Sequence, residues 1–314
     1  MQGVQYGLER FSMFGINNQI HKIKSPDELP AEYREIYDKM IMPVDTDISF
    51  DRVILSEENR RKIDIFLKET EYRDKLYEHG LEPMNRLLLY GASGTGKTFM
   101  TKALSKRLGY FMLYVDISQA LADGNTVADN IHQIFKLANY LGECVIMMDE
   151  IDSIAWNRDN SSNDAATIRR ATNVIFQHLD QMNHSNIFVS ATNMLHQLDP
   201  AFERRFNMKM EFRRPDQDLM TVIHHFLKSE FTLIDDINPR FKEIVEQRAK
   251  VNVKLSYYEI EELVYRAMKS AILRDSLDVS IAEIYGYLAE SMRYKVQFKT
   301  TKDDERIFSN PYPV

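Results

Sequence analysis

The chain has 314 residues, of which 44% are hydrophobic, and it carries a net charge of −7. This length predicts two or three packed units with a sizeable core, and the acidic balance argues against a broad nucleic-acid-binding surface. The single cysteine, Cys144, excludes an internal disulfide and is typical of a reducing compartment. Because no apolar run approaches the roughly 18 residues of a membrane span and Met1–Tyr6 lacks the form of a signal peptide, we expect a soluble, cytoplasmic protein.

The first 50 residues are irregular in pattern and contain one predicted helix, Leu29–Met40. Ser25 and Glu28 have the spacing of a capping box, which predicts where this helix begins. We expect the segment to be either an arm that binds an adaptor or a neighbouring subunit, or a structural strap along the core. A charged amphipathic helix is predicted to follow from Ser56.

Residues 85 to about 212 alternate short apolar runs with helical periods. Strands of four to six residues that alternate with helices predict a parallel sheet covered on both faces. The predicted strands are Arg86–Tyr90, Tyr110–Val115, Cys144–Met148, Asn186–Ala191 and Met208–Phe212. The predicted helices are Lys97–Leu108, Val127–Leu141 and Ala165–Met182.

Residues 91–98 read Gly-Ala-Ser-Gly-Thr-Gly-Lys-Thr and fit the phosphate-binding pattern G-x-x-x-x-G-K-[ST] at every fixed position. The loop follows a predicted strand and opens a predicted helix, so its N–H groups and the positive helix end would face an anion. We expect Lys97 to reach the β- and γ-phosphates of a nucleoside triphosphate and the Thr98 hydroxyl to ligate Mg²⁺. The predicted phosphate-contacting residues are Gly91, Ser93, Gly94, Thr95, Gly96, Lys97 and Thr98.

Two carboxylates, Asp149 and Glu150, follow four apolar residues about 50 positions after this loop. The pattern places them at the carboxyl end of a buried strand, where open α/β sheets bind ligands. We expect Asp149 to support the metal and Glu150 to polarise the water that attacks the γ-phosphate.

Two further segments contain polar residues that could take part in phosphoryl transfer. Asn193 follows the predicted strand Asn186–Ala191 and could orient the attacking water, whereas asparagine after a strand is ordinarily a turn residue. Arg204 and Arg205 come about a dozen residues later, and a phosphoryl-transfer transition state is stabilised by a guanidinium.

From Pro215 to Tyr294 the pattern predicts helices only. Ser256 with Glu259 and Ser280 with Glu283 have capping-box spacing. The first box is followed by an apolar stripe at helical spacing, composed of Ile260, Leu263, Val264, Ala267, Met268, Ala271 and Ile272. The last residues, from Thr300, are polar and are predicted to form a loose tail.

In order and spacing, these motifs resemble the Walker A, Walker B, sensor-1 and arginine-finger segments of AAA-family ATPases of the AAA clade proper. The resemblance covers roughly residues 50–295 and implies an α/β fold, a P-loop αβα doubly wound parallel sheet with a C-terminal helical lid. It implies that Glu150 is the catalytic base, that Asn193 is sensor 1, and that Arg204 and Arg205 act on the ATP of a neighbouring subunit. The implied domains are an N-terminal arm (1–50), an ATPase core (51–213), a lid (214–295) and a tail (296–314).

The family resemblance implies ATP and Mg²⁺ as cofactors and a homo-oligomer, normally a hexameric ring. We predict an ATPase that remodels or disassembles a protein partner. Residues 118–126, at the position of the family's pore loop, contain no aromatic side chain. This departure favours an alternative, in which ATP switches the oligomer between two states and no polypeptide is threaded.

A third hypothesis is a DNA-associated ATPase. The acidic charge argues against nucleic acid as a partner. In addition, the helix predicted to follow Ser256 in the lid begins without the arginine that is usual in the family's DNA-handling members. Tyr257 and Tyr258 also replace the small residues that the family usually has at that helix start.

Overall fold

A computed structural model describes residues 25–117, Gln119, 127–153, 163–215, 219–251 and 255–296. The described residues form two compact units. The first unit holds the residues up to Ala92 together with Lys97–Phe212, and the second holds Ser93–Gly96 together with the residues from Arg213 onward.

The first unit is built around a five-stranded parallel sheet with the strand order β2-β3-β4-β1-β5. Helical crossovers connect the parallel strands, so strands that are neighbours in the sheet need not be consecutive in the sequence. The strands are β1 (Arg86–Tyr90), β2 (Phe111–Val115), β3 (Cys144–Met148), β4 (Ile187–Thr192) and β5 (Met208–Glu211). The helices are α1 (Ala31–Met40), α2 (Glu57–Glu71), α3 (Arg73–Glu78), α4 (Lys97–Leu108), α5 (Val127–Leu141), α6 (Asn163–Asp180) and α7 (Pro200–Glu203).

Both faces of the sheet are buried. Alternate residues of β1 enter different apolar clusters: Leu88 packs with α5 and α6, whereas Leu87 and Leu89 pack with α2 and α4. This alternation follows from the period of two along a strand. The predicted doubly wound α/β fold, with its sheet covered on both faces, is therefore confirmed.

The predicted strand ends agree with the structure to within one residue. Strand β4 runs one residue further than predicted because Thr192 continues the ladder opposite Tyr90 of β1. The helix α6 begins and ends two residues earlier than predicted, at Asn163 and Asp180.

The segment before the core packs into it. Helix α1 begins at Ala31, later than Ser25 predicted, because the Ser25 hydroxyl instead caps a 3-10 turn, Pro26–Glu28. Leu29 is extended before Pro30, which disfavours helical backbone in the preceding residue and so separates the two elements. The described part of the predicted arm, which includes buried Met40, lies in the first unit, and the boundary at residue 50 stays a prediction.

The second unit contains α8 (Leu219–Phe226), α9 (Pro239–Val251), α10 (Tyr257–Leu273) and α11 (Ile281–Val296). The prediction that this part is entirely helical is wrong. Two three-residue strands, β6 (Thr232–Ile234) and β7 (Asp278–Ser280), pair in parallel, and such short strands leave too little alternation for a sequence pattern.

The two predicted capping boxes of the second unit differ in outcome. Ser256 and Glu259 form a complete box at the start of α10. Ser280 accepts the Glu283 N–H at 3.0 Å, but the Glu283 carboxylate instead contacts Arg274 and Tyr287. Within the predicted stripe of α10, Ile260, Val264, Ala267, Met268 and Ala271 are buried, and Ile272 is 56% exposed.

Candidate functional site

The carboxyl ends of three adjacent strands bring the predicted site residues together. Strands β3, β4 and β1 are neighbours in the sheet. Asp149 follows β3, Asn193 follows β4, and Gly91 follows β1. Because parallel strands end at one edge of the sheet, residues far apart in sequence converge there.

Lys97 is the most enclosed charged residue of this edge, with 6% of its surface exposed. Its Nζ donates to the carbonyls of Gly91 and Ala92 at 2.8 and 2.9 Å and to Asn193 Oδ1 at 2.8 Å. Burial lowers the pKa of Lys97, and the nearby carboxylates of Asp149 and Asp152 partly offset this effect. The structure therefore places the loop lysine against Asn193, as an ammonium held by three acceptors.

Gly91 is required by its surroundings. Its φ is +142°, and a Cβ built there would lie 2.0 Å from the Phe212 carbonyl oxygen. The Phe212 N–H donates to the Tyr90 carbonyl at 2.7 Å, so this backbone is held at the start of the loop. Only glycine fits where two backbones approach this closely.

Thr98 and Asp149 form a direct pair. The Thr98 hydroxyl donates to Asp149 Oδ2 at 2.6 Å, and the Glu150 N–H donates to Asp149 Oδ1 at 2.9 Å. A hydroxyl and a carboxylate side by side are the oxygen ligands that Mg²⁺ prefers. The residues present at this position thus fit a magnesium ion.

Glu150 differs from Asp149 in both exposure and backbone. It is exposed, and its φ of +52° lies in the left-handed region. A residue other than glycine costs of order 1–3 kcal/mol in such a conformation, and strain of this kind concentrates at functional sites. The chain changes direction at Glu150, so the consecutive carboxylates of Asp149 and Glu150 differ in their surroundings: Asp149 accepts hydrogen bonds from Thr98 and from the Glu150 N–H, and Glu150 is exposed.

Thr192 is the first of two polar residues at the site that the sequence did not single out. The Thr192 hydroxyl donates to Asp152 Oδ1 at 2.7 Å and accepts the Met194 N–H at 2.9 Å. These contacts restrain the turn that carries Asn193. The position of Thr192 directly before Asn193 is the feature of the sequence that could have indicated this role.

Tyr114 is the second residue that the sequence did not single out. It lies on β2, and its Oη is 3.4 Å from Asp149 Oδ2. Burial, together with the neighbouring Asp149 carboxylate, raises the pKa of Tyr114 to about 12, so its hydroxyl stays protonated. The apolar run of β2 hid this residue, because a tyrosine in such a run indicates packing.

The tip of the phosphate-binding loop, Ser93–Gly96, belongs to the second unit. The Gly94 carbonyl accepts the Tyr258 N–H at 3.3 Å, and a Cβ at Gly94 would lie 2.8 Å from Ser256 Oγ. Tyr258 meets the loop through its backbone and is itself 60% exposed. The start of α10 therefore contacts the loop tip despite its bulky residues.

The two arginines of the predicted finger segment differ. Arg205 donates to both carboxylate oxygens of Asp180, at 3.1 and 3.2 Å, and to the Ala201 carbonyl at 2.6 Å. Its guanidinium carbon also lies 3.8 Å from the centroid of the Phe176 ring. Arg204, by contrast, is exposed. One arginine is thus engaged within its own chain, and the other faces solvent.

Some predictions concern residues outside those that the structure describes. Within 118–126, the predicted pore-loop position, only Gln119 is described, and the tail from residue 297 is not. Among the described helices, none combines the length and the apolar character that crossing a membrane requires.

Comparison with known proteins finds a similarity that lies mostly in the first unit. Residues 87–214 match the model of the ATPase family associated with various cellular activities (AAA). The chain is 29% identical, over 226 residues and 70% of its length, to an uncharacterized AAA family ATPase, y4kL, from Sinorhizobium fredii (strain NBRC 101917 / NGR234), of which it covers 64%.

Two further relatives carry the name 26S proteasome regulatory subunit 4 homolog. The chain is 28% identical to the Saccharomyces cerevisiae protein, over 71% of this chain and 44% of that protein. It is 32% identical to the Oryza sativa subsp. japonica protein, over 52% of this chain and 38% of that protein. The chain therefore spans less than two thirds of the length of these relatives.

Proposed function

We propose that this chain, whose residues 87–214 match the AAA family model, hydrolyses ATP as a ring-shaped homo-oligomer and uses the turnover to remodel or disassemble a protein partner. The observation that carries the proposal is the convergence of Lys97, Thr98, Asp149, Glu150 and Asn193 at one edge of the sheet. Its relatives, which include AAA ATPases and proteasome regulatory subunits, support ATP hydrolysis.

The phosphate-binding part of the mechanism falls to the loop. Lys97 is already held as a buried donor among three oxygen acceptors, and the phosphates of ATP are acceptors of the same kind that carry more charge. The backbone of Ser93–Gly96 would contribute N–H donors. The Thr98 hydroxyl and the Asp149 carboxylate would hold Mg²⁺, which neutralises charge on the phosphates when bound.

The hydrolytic part falls to Glu150 and Asn193. Glu150 is exposed, while the carboxylate of Asp149 accepts two close hydrogen bonds. We propose that Glu150 accepts the proton of the attacking water and that Asn193 orients that water. The contact of Asn193 with Lys97 supports this role, because it places the amide beside the group that would bind the γ-phosphate.

The finger segment suggests how subunits cooperate. We propose that Arg204, which is exposed, stabilises the transition state in a neighbouring subunit. Arg205, whose guanidinium contacts Asp180 and Phe176, would hold the segment that presents Arg204. Action of Arg204 on a neighbouring site requires an oligomer, and the resemblance implies a hexamer.

A second function, an ATP-dependent switch, is favoured by one sequence observation. The segment 118–126 has no aromatic side chain with which to grip a polypeptide. In that mode ATP would hold an assembled state with its partner, and hydrolysis would release it. A DNA-associated ATPase is disfavoured by the net charge of −7.

The experiment is a nucleotide trap. Glu150→Gln, loaded with ATP and Mg²⁺, is offered to extract of the native source, with Lys97→Ala as the matched control that should not bind ATP. The captured partner is then purified and added to the wild-type chain during turnover. A protein that raises the rate of phosphate release supports remodelling, and one that binds without raising it supports the switch. Captured nucleic acid, or no turnover at any chain concentration, contradicts both.

A further inference from the structure

Tyr114 lies near Asp149 at the carboxyl end of β3, although it belongs to none of the sequence motifs described above. Strand β2 pairs with β3 in parallel, with Tyr114 opposite Met147 and Val115 opposite Met148. Asp149 is the next residue after Met148, so the Tyr114 side chain can reach along the sheet edge to its carboxylate. The separation of Tyr114 Oη and Asp149 Oδ2 is 3.4 Å.

The hydrogen bonds of Asp149 define what this contact adds. The carboxylate accepts the Thr98 hydroxyl at 2.6 Å on Oδ2 and the Glu150 N–H at 2.9 Å on Oδ1. Both donors lie close to the loop and the strand end, whereas Tyr114 approaches from the neighbouring strand. Because Tyr114 is a neutral phenol, it acts as a donor to the charged carboxylate. A third donor from a separate element limits rotation of the carboxylate about its own side-chain bonds.

The position of Tyr114 is held independently of its hydroxyl. Its carbonyl accepts the Met42 N–H at 2.8 Å on one side of the strand, and β3 pairs with it on the other. Its ring is half-buried and packs against the apolar cluster on one face of the sheet. Phenylalanine would preserve the ring and both backbone contacts, so the hydroxyl can be tested separately from the packing.

We propose that Tyr114 is a positioning residue for the ATPase site, whose hydroxyl orients the Asp149 carboxylate beside Thr98 and thereby sets the Mg²⁺ dependence of nucleotide binding. The inference rests on the roles proposed above for Thr98 and Asp149. Loss of a hydrogen-bond partner behind a metal ligand typically costs 10- to 100-fold in metal affinity. Since this contact is long, we expect the lower end, about 10-fold.

The test measures binding rather than turnover. Binding of a fluorescent ATP analogue to the full chain is titrated with Mg²⁺ for the wild type, for Tyr114→Phe and for the control Tyr37→Phe. Tyr37 lies on α1 and packs against Phe111 of β2. We expect Tyr114→Phe to raise the half-saturating Mg²⁺ concentration about 10-fold, with unchanged binding in EDTA. Tyr37→Phe should match the wild type. Superimposable Mg²⁺ titrations for Tyr114→Phe and the wild type would overturn the inference.

Two further variants separate the possible failures. If Lys97→Ala binds nucleotide as the wild type does, the proposed function fails, whatever Tyr114 does. If Lys97→Ala loses binding and Tyr114→Phe behaves as the wild type, only the role of Tyr114 is wrong. Should Tyr114→Phe lower the melting temperature, the same Mg²⁺ titration compares Asp149→Asn with the double variant that also carries Tyr114→Phe. If Tyr114→Phe no longer changes the half-saturating Mg²⁺ concentration in this background, the hydroxyl acts through Asp149. A change as large as in the wild type contradicts the inference.

Discussion

The guanidinium of Arg205 lies over the ring of Phe176, with 3.8 Å between the guanidinium carbon and the ring centroid. The same group is paired with Asp180, and its side chain is only 18% exposed. An arginine stacked and paired in this way stabilises the fold of its own subunit. The neighbouring Arg204 is exposed, so adjacent residues of one type are predicted to have different functions.

Arg205→Ala should destabilise the chain, whereas Arg204→Ala should mainly reduce turnover. Loss of the stacked, paired guanidinium is expected to cost about 2 kcal/mol, measured as the free energy of unfolding in urea. Arg204→Ala should leave that free energy within about 0.5 kcal/mol of the wild type and lower kcat by a factor of about 10³.

Mixing the variants tests whether Arg204 acts between subunits. Arg204→Ala combined with Lys97→Ala should regain part of the wild-type turnover, because a mixed oligomer contains sites with an intact loop and an intact neighbour. An absence of recovery at every mixing ratio would argue against action in trans.

Lys97→Ala should abolish tight ATP binding. The lysine contributes charge-assisted hydrogen bonds, and their loss is expected to weaken binding by about 3 kcal/mol, roughly 100-fold. Isothermal titration calorimetry with ATP and Mg²⁺ measures the change. Lys102→Ala, on the same helix, is the control and should bind as the wild type does. Wild-type affinity in Lys97→Ala would remove the phosphate-binding assignment of the loop.

Glu150→Gln should bind ATP normally and hydrolyse it slowly. The substitution keeps the size and the exposed position of the side chain and removes its ability to accept a proton. General-base catalysis contributes about 10²–10⁴-fold, so single-turnover phosphate release should slow by at least about 100-fold. Near-normal turnover would show that another group is the base.

Gly91→Ala should unfold or severely destabilise the first unit. The added Cβ would lie 2.0 Å from the Phe212 carbonyl oxygen, and φ of +142° is unfavourable for alanine. We expect a loss of more than about 3 kcal/mol in the free energy of unfolding. The control is Gly109→Ala: φ there is also positive, at +69°, but no heavy atom beyond the adjoining residues of the chain lies within 4 Å of the added Cβ. Its cost should be about 1–2 kcal/mol, and equal losses would contradict the steric argument.

The lowered pKa of His178 predicts that the folded chain loses stability at mildly acidic pH. Burial, with a smaller contribution from nearby His132, lowers the pKa of His178 from 6.5 to about 4. Between these values the unfolded chain binds a proton that the folded chain excludes, so stability falls as pH decreases from about 6.5 towards 4. One proton gives at most about 1.4 kcal/mol per pH unit, and partial exposure reduces this further.

His178→Phe tests this prediction. The ring of His178 stacks on Phe135 with 4.4 Å between centroids, so phenylalanine would keep the stacking and remove the titration. Urea unfolding at pH 5 and pH 7 should show a smaller difference for the variant than for the wild type. An identical difference would assign the acid sensitivity to other groups.

The sequence by itself determined the alternation of strands and helices in the first unit and the residues of the loop and the strand ends. Strand β1, α4 and α5 begin and end where the pattern predicted, because buried parallel strands are continuous apolar runs and amphipathic helices repeat at 3.6 residues. The loop pattern also selected Lys97 and Thr98, because it restricts which residue types can occupy its positions, and Asp149 was selected by its place after a buried apolar run.

Only the tertiary structure decided the contacts between these elements. The strand order β2-β3-β4-β1-β5 brings Asn193 to Lys97, and the pairing of β2 with β3 brings Tyr114 to Asp149. The difference between Arg204 and Arg205 likewise depends on α6, which supplies Phe176 and Asp180. A linear pattern records local periodicity, whereas these contacts join residues that are 25 to 96 positions apart along the chain.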